Sequence, residues 1–203
     1  MLRIRKSHGL AALSSSFAIW QPDNHYIVPS ALESEYPCRV PPNVTSCGPI
    51  ILPTTSVREA DPELNPWLQR GPTILINLGS MLRMDGAMTR EFATGLKIVL
   101  YQRPEVQVLW KIKTSGGLPI LTQRKKKAAS EEDNEKVDPL RVLSEEISNG
   151  RVKVLNWISV EPLALLQSGR IVCSVHHGGS NSFHEALRYG IFSPRWLTSL
   201  TSR

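Results

Sequence analysis

Four short strand-forming runs constrain the fold of this chain more than any other feature. The first, Thr73-Ile74-Leu75-Ile76-Asn77-Leu78, is almost wholly apolar and ends in Gly79-Ser80. An unbroken apolar run suits a strand buried on both faces, as in a parallel sheet covered by helices; a strand with one wet face would alternate. Val106–Trp110, Val152–Leu155 and Ile171–Val175 read as three further strands. Helical text separates them. Asp85 is a good N-cap, and Met88, Phe92, Leu96, Val99 and Leu100 follow at helical spacing until Pro104. Asp138-Pro139 starts a helix with Leu140, Leu143 and Ile147 on one face and Gly150 as its stop. Pro162–Gln167 is a short helix, and Ser180–Tyr189 is a helix closed by Gly190. Strands alternating with helices predict an α/β fold, a Rossmann-like doubly wound parallel sheet with right-handed crossovers.

The 203 residues suit one domain with appendages. Ten of the fifteen prolines fall between Pro22 and Pro72. They predict a Pro-rich interdomain linker over 36–72, with Glu63–Arg70 as its one short helical candidate. Residues 1–35 read as the remnant of an N-terminal domain or an unstructured leader. Within them Arg3, Arg5, Lys6 and the apolar stretch Gly9–Trp20 also suit a transit peptide or a weak signal. Residues 73–191 are the folded domain. Inside it, 112–136 reads as a solvated charged loop, where Arg124-Lys125-Lys126-Lys127 precedes Glu131-Glu132-Asp133. Residues 192–203 form an atypical tail.

A net charge of +6 invites a nucleic-acid reading, but its distribution argues against one. The excess is concentrated after residue 150, where six basic residues face only Glu161 and Glu185. That pattern suits a small anionic ligand and shows no duplex-sized basic face. Three cysteines, Cys38, Cys47 and Cys173, do not make a disulfide framework, which points to a reducing, cytoplasmic location. No apolar run approaches the ~18 residues of a membrane span.

The densest chemical text is Val175-His176-His177-Gly178-Gly179-Ser180-Asn181-Ser182-Phe183-His184-Glu185, where the last strand hands over to a helix. At such a junction free backbone N–H groups and the positive end of the helix dipole favour an anion. Gly178 and Gly179 allow close approach of a phosphate to the backbone. His177, Asn181 and Ser182 add side-chain donors. Glu185, expected on the first helical turn, offers a carboxylate to a sugar diol. Ser80 ends the first strand, and the switch point in strand order should bring it to the same crevice. Trp157, after the third strand, offers a face for a base or is a plain core aromatic.

These residues together resemble the donor-binding signature of the UDP-glycosyltransferases, and the His176-His177-Gly178-Gly179 doublet is most similar to the fungal and bacterial natural-product or sterol branch. Cys47-Gly48-Pro49-Ile50 and the Gly79-Ser80 strand end resemble that family's approach to its C-terminal domain. The resemblance spans 36–191. It implies the C-terminal half of a two-domain GT-B-type enzyme of secondary metabolism, with four of about six strands present. It implies that Trp157 stacks on uracil and the Ile158 backbone pairs with its edge. It further implies that His177, Gly178, Gly179, Asn181 and Ser182 hold the diphosphate with help from Ser80, and that Glu185 binds the ribose. The partners implied are a UDP-sugar co-substrate and a lipophilic small-molecule acceptor, with no cofactor, no metal, no nucleic acid and no membrane span. The general base would sit in a missing N-terminal domain, so the resemblance assigns no catalytic residue here. Two departures stand out: Val160 replaces a Gln common in relatives, and no acid that could grip the donor sugar follows Glu185.

Other readings of the same residues are weaker. His176, His177, His184 and Glu185 match no standard zinc spacing. His177-Gly178-Gly179 lacks the Gly-x-Ser-x-Gly elbow a hydrolase needs, and no P-loop pattern occurs. The expected function is hexosyl transfer with this chain as the nucleotide-binding half, inactive alone. The alternative is an inactive nucleotide-binding remnant or scaffold from a truncated gene.

Overall fold

The computed structural model describes Ser7, 23–31, 37–113 and 138–193. The expected leader in 1–22 (Ser7 apart), the charged loop from 114 to 136 and the tail from 194 onward lie outside the described residues. The chain forms two compact units, Met1–Ile50 and Ile51–Arg203. In the first, β1 (Tyr26–Val28) pairs in parallel with β2 (Val44–Ser46).

The second unit carries every candidate site residue. It opens with α1 (Val57–Ala60) and α2 (Leu64–Leu68), followed by β3 (Thr73–Asn77), α3 (Gly86–Gln102) and β4 (Gln107–Lys111). A 3-10 turn (Arg141–Leu143) leads into α4 (Ser144–Ser148), β5 (Val152–Leu155), α5 (Pro162–Gln167), β6 (Ile171–His176) and α6 (Ser180–Arg188). The sheet order is β5-β4-β3-β6, and every neighbouring pair is parallel. This is the doubly wound α/β arrangement expected from the sequence.

The alternation of side chains explains the apolar runs. Ile76, Val108 and Trp110 point to one face, where they pack with Leu96 and Leu100 of α3 and with Leu140 and Leu143. Leu75 and Leu109 point to the other, where they pack with Leu64, Leu68 and Leu165. Both faces are dry, so no polar alternation is left to see. β6 is the exception. Its register against β3 slips between Thr73↔Ile171 and Ile74↔Cys173, which leaves Val172 as an extra, half-exposed residue. The slip reverses the parity of the strand: Ile171 joins one core and Val175 the other.

Helix ends follow local chemistry. Asp85 Oδ1 accepts from Met88 N–H at 2.8 Å and starts α3. The inner face of α3 is Thr89, Ala93, Leu96 and Leu100, with Met88 and Phe92 packed at its margin. Val99, expected on that face, is 37% exposed because the 3.6-residue period carries it off the stripe centred on Leu96 and Leu100.

The segment 36–72 is not a connector throughout. Val57, Leu64, Trp67 and Leu68 are buried, and the unit boundary falls after Ile50. Proline did not prevent this because Pro66 stands in the first turn of α2, where a missing N–H breaks no intrahelical bond. Two polar ties hold the helix down. The buried Gln107 side-chain amide donates to the Trp67 carbonyl at 3.1 Å and to Thr73 Oγ1 at 2.9 Å. Trp67 Nε1–H donates to the Gly150 carbonyl at 2.6 Å. Because Leu68 is fully buried, Leu68→Ala is expected to destabilise the fold by about 2–5 kcal/mol in urea unfolding; a linker position would lose almost nothing.

Candidate functional site

The chain runs β3, β4, β5 outward from the centre, then returns through α5 to place β6 on the free side of β3. The switch point therefore lies between β3 and β6, whose last residues Asn77 and His176 are register partners. Just beyond them lie Gly79-Ser80 and His177-Gly178-Gly179. A Cβ added at Gly79 would stand 3.1 Å from His177 Nδ1, and one at Gly179 would stand 2.5 Å from His177 Nε2. The His177 imidazole thus sits between two glycines from different loops, and its seat exists because neither has a side chain. Gly79 also has φ +86, a conformation other residues adopt only with strain.

Gly179 caps α6, and no side chain completes the cap. The first helical bond runs from Phe183 N–H to the Gly179 carbonyl, so the N–H groups of Ser180, Asn181 and Ser182 have no intrahelical acceptor. They emerge beside His177, at the positive end of the helix. That arrangement can hold an anion.

A narrow recess opens next to it, lined by Asn77, His176, Ser182 and Glu185 over a floor that includes Leu75, Pro162 and Leu166. Glu185 lies in the second turn of α6, not the first, because the helix begins only at Ser180. Burial, and then the Glu161 carboxylate, push the Glu185 carboxyl above its ordinary value of 4.5. Gly178 and Asn181 are exposed at the rim.

Trp157 belongs to the β4–β5 side of the crevice. It is 67% exposed, and the Lys111 ammonium lies 4.3 Å from its ring centroid. Burial, and then Lys113, hold the Lys111 pKa below the ordinary lysine value. Lys113 Nζ donates to the Ser80 carbonyl at 3.2 Å, while Ser80 itself is exposed. The Ile158 side chain is core, which leaves main-chain groups for any ligand there. Ser159 Oγ donates to Asp61 Oδ2 at 2.8 Å and ties this loop to the start of α2.

The structure thus brings His177 against Gly79, and places Ser182 and Glu185 on one recess. Trp157 meets Lys111 and Ser80 meets Lys113, two lysines that sequence reasoning missed, as it missed Asn77 and Asp61; His176 was read there only as part of the His-His-Gly-Gly run and of a rejected metal set. Asn77, Lys111 and Lys113 were findable, since all three lie at carboxyl ends of strands that were expected. Asp61 reaches Ser159 across 98 positions, and nothing local signals that bond. A roomier recess lies at the opposite ends of the strands, between Arg70, Glu105, Asn149 and Arg151. Its Arg151 guanidinium is spent on the carbonyls of Val106, Leu100 and Arg103. Among the described residues, no three His, Cys, Asp or Glu side chains gather as a metal set, and no helix is long and apolar enough to cross a membrane.

No family model matches the chain. A curated protein, glycosyltransferase sdnJ of Sordaria araneosa, is 38% identical to it over 189 residues, 92% of this chain. The chain spans about a third of that relative's length, 34%. Solved structures with a similar fold include UGT2 of Phytolacca americana, at TM-score 0.53 and 20% identity, over 77% of this chain and 32% of that one. A UGT transferase of Siraitia grosvenorii, solved in complex with UDP, matches at TM-score 0.50 and 22% identity over 75% of this chain and 33% of its own.

The Glu185 shift gives a stability prediction. A carboxyl raised in the folded state binds its proton more tightly there than in the unfolded chain. Its contribution is therefore fully present below about 4.5 and is lost as pH rises through the higher folded value. Removing the charge removes that loss. Urea midpoints are expected to favour Glu185→Gln over the parent increasingly as pH climbs from about 4 to 7.

Proposed function

We propose that this chain belongs to the glycosyltransferases and is the segment of such an enzyme that holds the nucleotide end of a UDP-sugar. The observation that supports this most directly is the seat of His177 between Gly79 and Gly179, which joins the β3 and β6 ends into one crevice at the switch point. In this reading the diphosphate rests on the N–H groups of Ser180, Asn181 and Ser182. His177, the Asn181 side chain and Ser80 complete the cradle, with Gly178 and Gly179 clearing the space. Glu185, in its ionised form, accepts from the ribose hydroxyls. Lys111 already covers one face of Trp157, which leaves the other for uracil, and the Ile158 main chain meets the base edge.

The transfer proposed for the whole protein is hexosyl transfer to a hydroxyl of a lipophilic small molecule. The acceptor oxygen bonds to the anomeric carbon while the bond from that carbon to the UDP oxygen breaks, with inversion. The electron pair leaves on UDP, and the acceptor proton goes to a base supplied outside this segment. What this segment supplies is fixed donors aimed at the charge that grows on the departing diphosphate. UDP binding, without turnover, is the property expected of it alone.

Titration calorimetry with UDP tests the reading. Saturable binding is expected below millimolar UDP. Glu185→Ala should weaken it about 10–100-fold, since a hydrogen bond to a charged group contributes roughly 1.5–3 kcal/mol. A parent chain that gives no heat at millimolar UDP overturns the proposal.

A further inference from the structure

His176 stands beside the cradle, and no role has been assigned to it. It ends β6, it is 1% exposed, and it is one of the few fully buried polar side chains of the fold. Its Nδ1 accepts from the Gly178 backbone N–H at 3.1 Å. Nδ1 therefore carries no proton, and a neutral imidazole must then carry it on Nε2. That assignment closes the network. Nε2–H donates to Ser193 Oγ, and the Ser193 hydroxyl donates on to the Ser174 carbonyl at 3.1 Å. Each group in the relay gives and receives in one consistent direction, from the segment after α6 through β6 to the loop.

The bond to Gly178 holds a turn that is otherwise hard to hold. Gly178 has φ +82, and no backbone bond in 177–179 other than the Gly179 carbonyl's to Phe183 is seen among the described residues. The imidazole does for this loop what an Asx side chain does in an Asx turn: it offers an acceptor two residues back. With Gly178 fixed, the His177 side chain is directed between Gly79 and Gly179, and the first N–H groups of α6 face the crevice.

We infer that His176 is a positioning residue for the nucleotide cradle: through Nδ1 it locks Gly178, and so sets His177 and the α6 N-terminus against a diphosphate it does not itself touch. This rests on the UDP reading above, and the two can fail separately.

The experiment compares the parent with His176→Leu and His176→Asn by two readouts, exchange of the Gly178 amide proton and UDP titration. Leu fills the volume without an acceptor. Asn Oδ1 stands the same number of bonds from the backbone as imidazole Nδ1 and restores that acceptor without the Nε2 donor to Ser193. His176→Leu is expected to speed Gly178 exchange and to weaken UDP roughly two- to tenfold, the scale of one lost hydrogen bond. His176→Asn should recover most of both, which a residue needed only for packing would not show. If His176→Leu leaves either readout at the parent's level, or if folded His176→Asn is no better than His176→Leu, the role is overturned. If the parent shows a protected Gly178 and takes up no UDP, the nucleotide reading falls and this role with it.

Discussion

Everything at the site depends on β3 being hydrogen-bonded in parallel on both edges, to β4 on one side and β6 on the other. A parallel neighbour on each side forces every connection to cross the sheet, and the crossing helices bury both faces. It also brings all the strand carboxyl ends to one rim. Because β6 returns to β3 rather than extending the β5 edge, two loops of distant sequence meet at that rim. Gly79 and His177 are almost a hundred residues apart, yet they touch.

The rim carries positive groups on both sides of the crevice and one carboxyl whose charge burial opposes. On the β6 side lie a helix N-terminus and a carboxyl raised by burial and by Glu161. On the β4 side lie two lysines, one over Trp157 and the other on the Ser80 carbonyl. A ligand with an anionic middle and a neutral polar end at Glu185 meets complementary groups at both places. The glycines do as much as the charged groups. Without Cβ atoms at Gly79 and Gly179 the imidazole has room, and with them it would have to move. The buried His176 lies one residue behind, so the loop is supported from the sheet as well as capped by the helix.

Much of this was legible because it is local. Thr73–Leu78 announced a strand with two dry faces, and Asp85 announced the helix it caps. The Gly-rich run after β6 announced a strand-to-helix junction, and the junction is there. What failed was also physical. Ten prolines suggested a connector, but Pro66 falls in a first turn where it does no harm, and the helix it opens is core. Val99 fits the helical spacing yet lies outside the buried stripe. The bulge at Val172 changes which core each β6 residue joins, and a run of apolar residues carries no mark of such a slip.

Within 73–191 the sequence by itself determined the strands and the helices between them, their order, and the chemical character of the loop after β6, because caps, periodicity and glycine act over a few residues. Only the tertiary structure decided which distant groups share the crevice. The contact of His177 with Gly79, the cover of Lys111 on Trp157 and the bond from Ser159 to Asp61 all arise from sheet order and register. Those depend on how two complete faces pack at once, and no short stretch of chain contains that information.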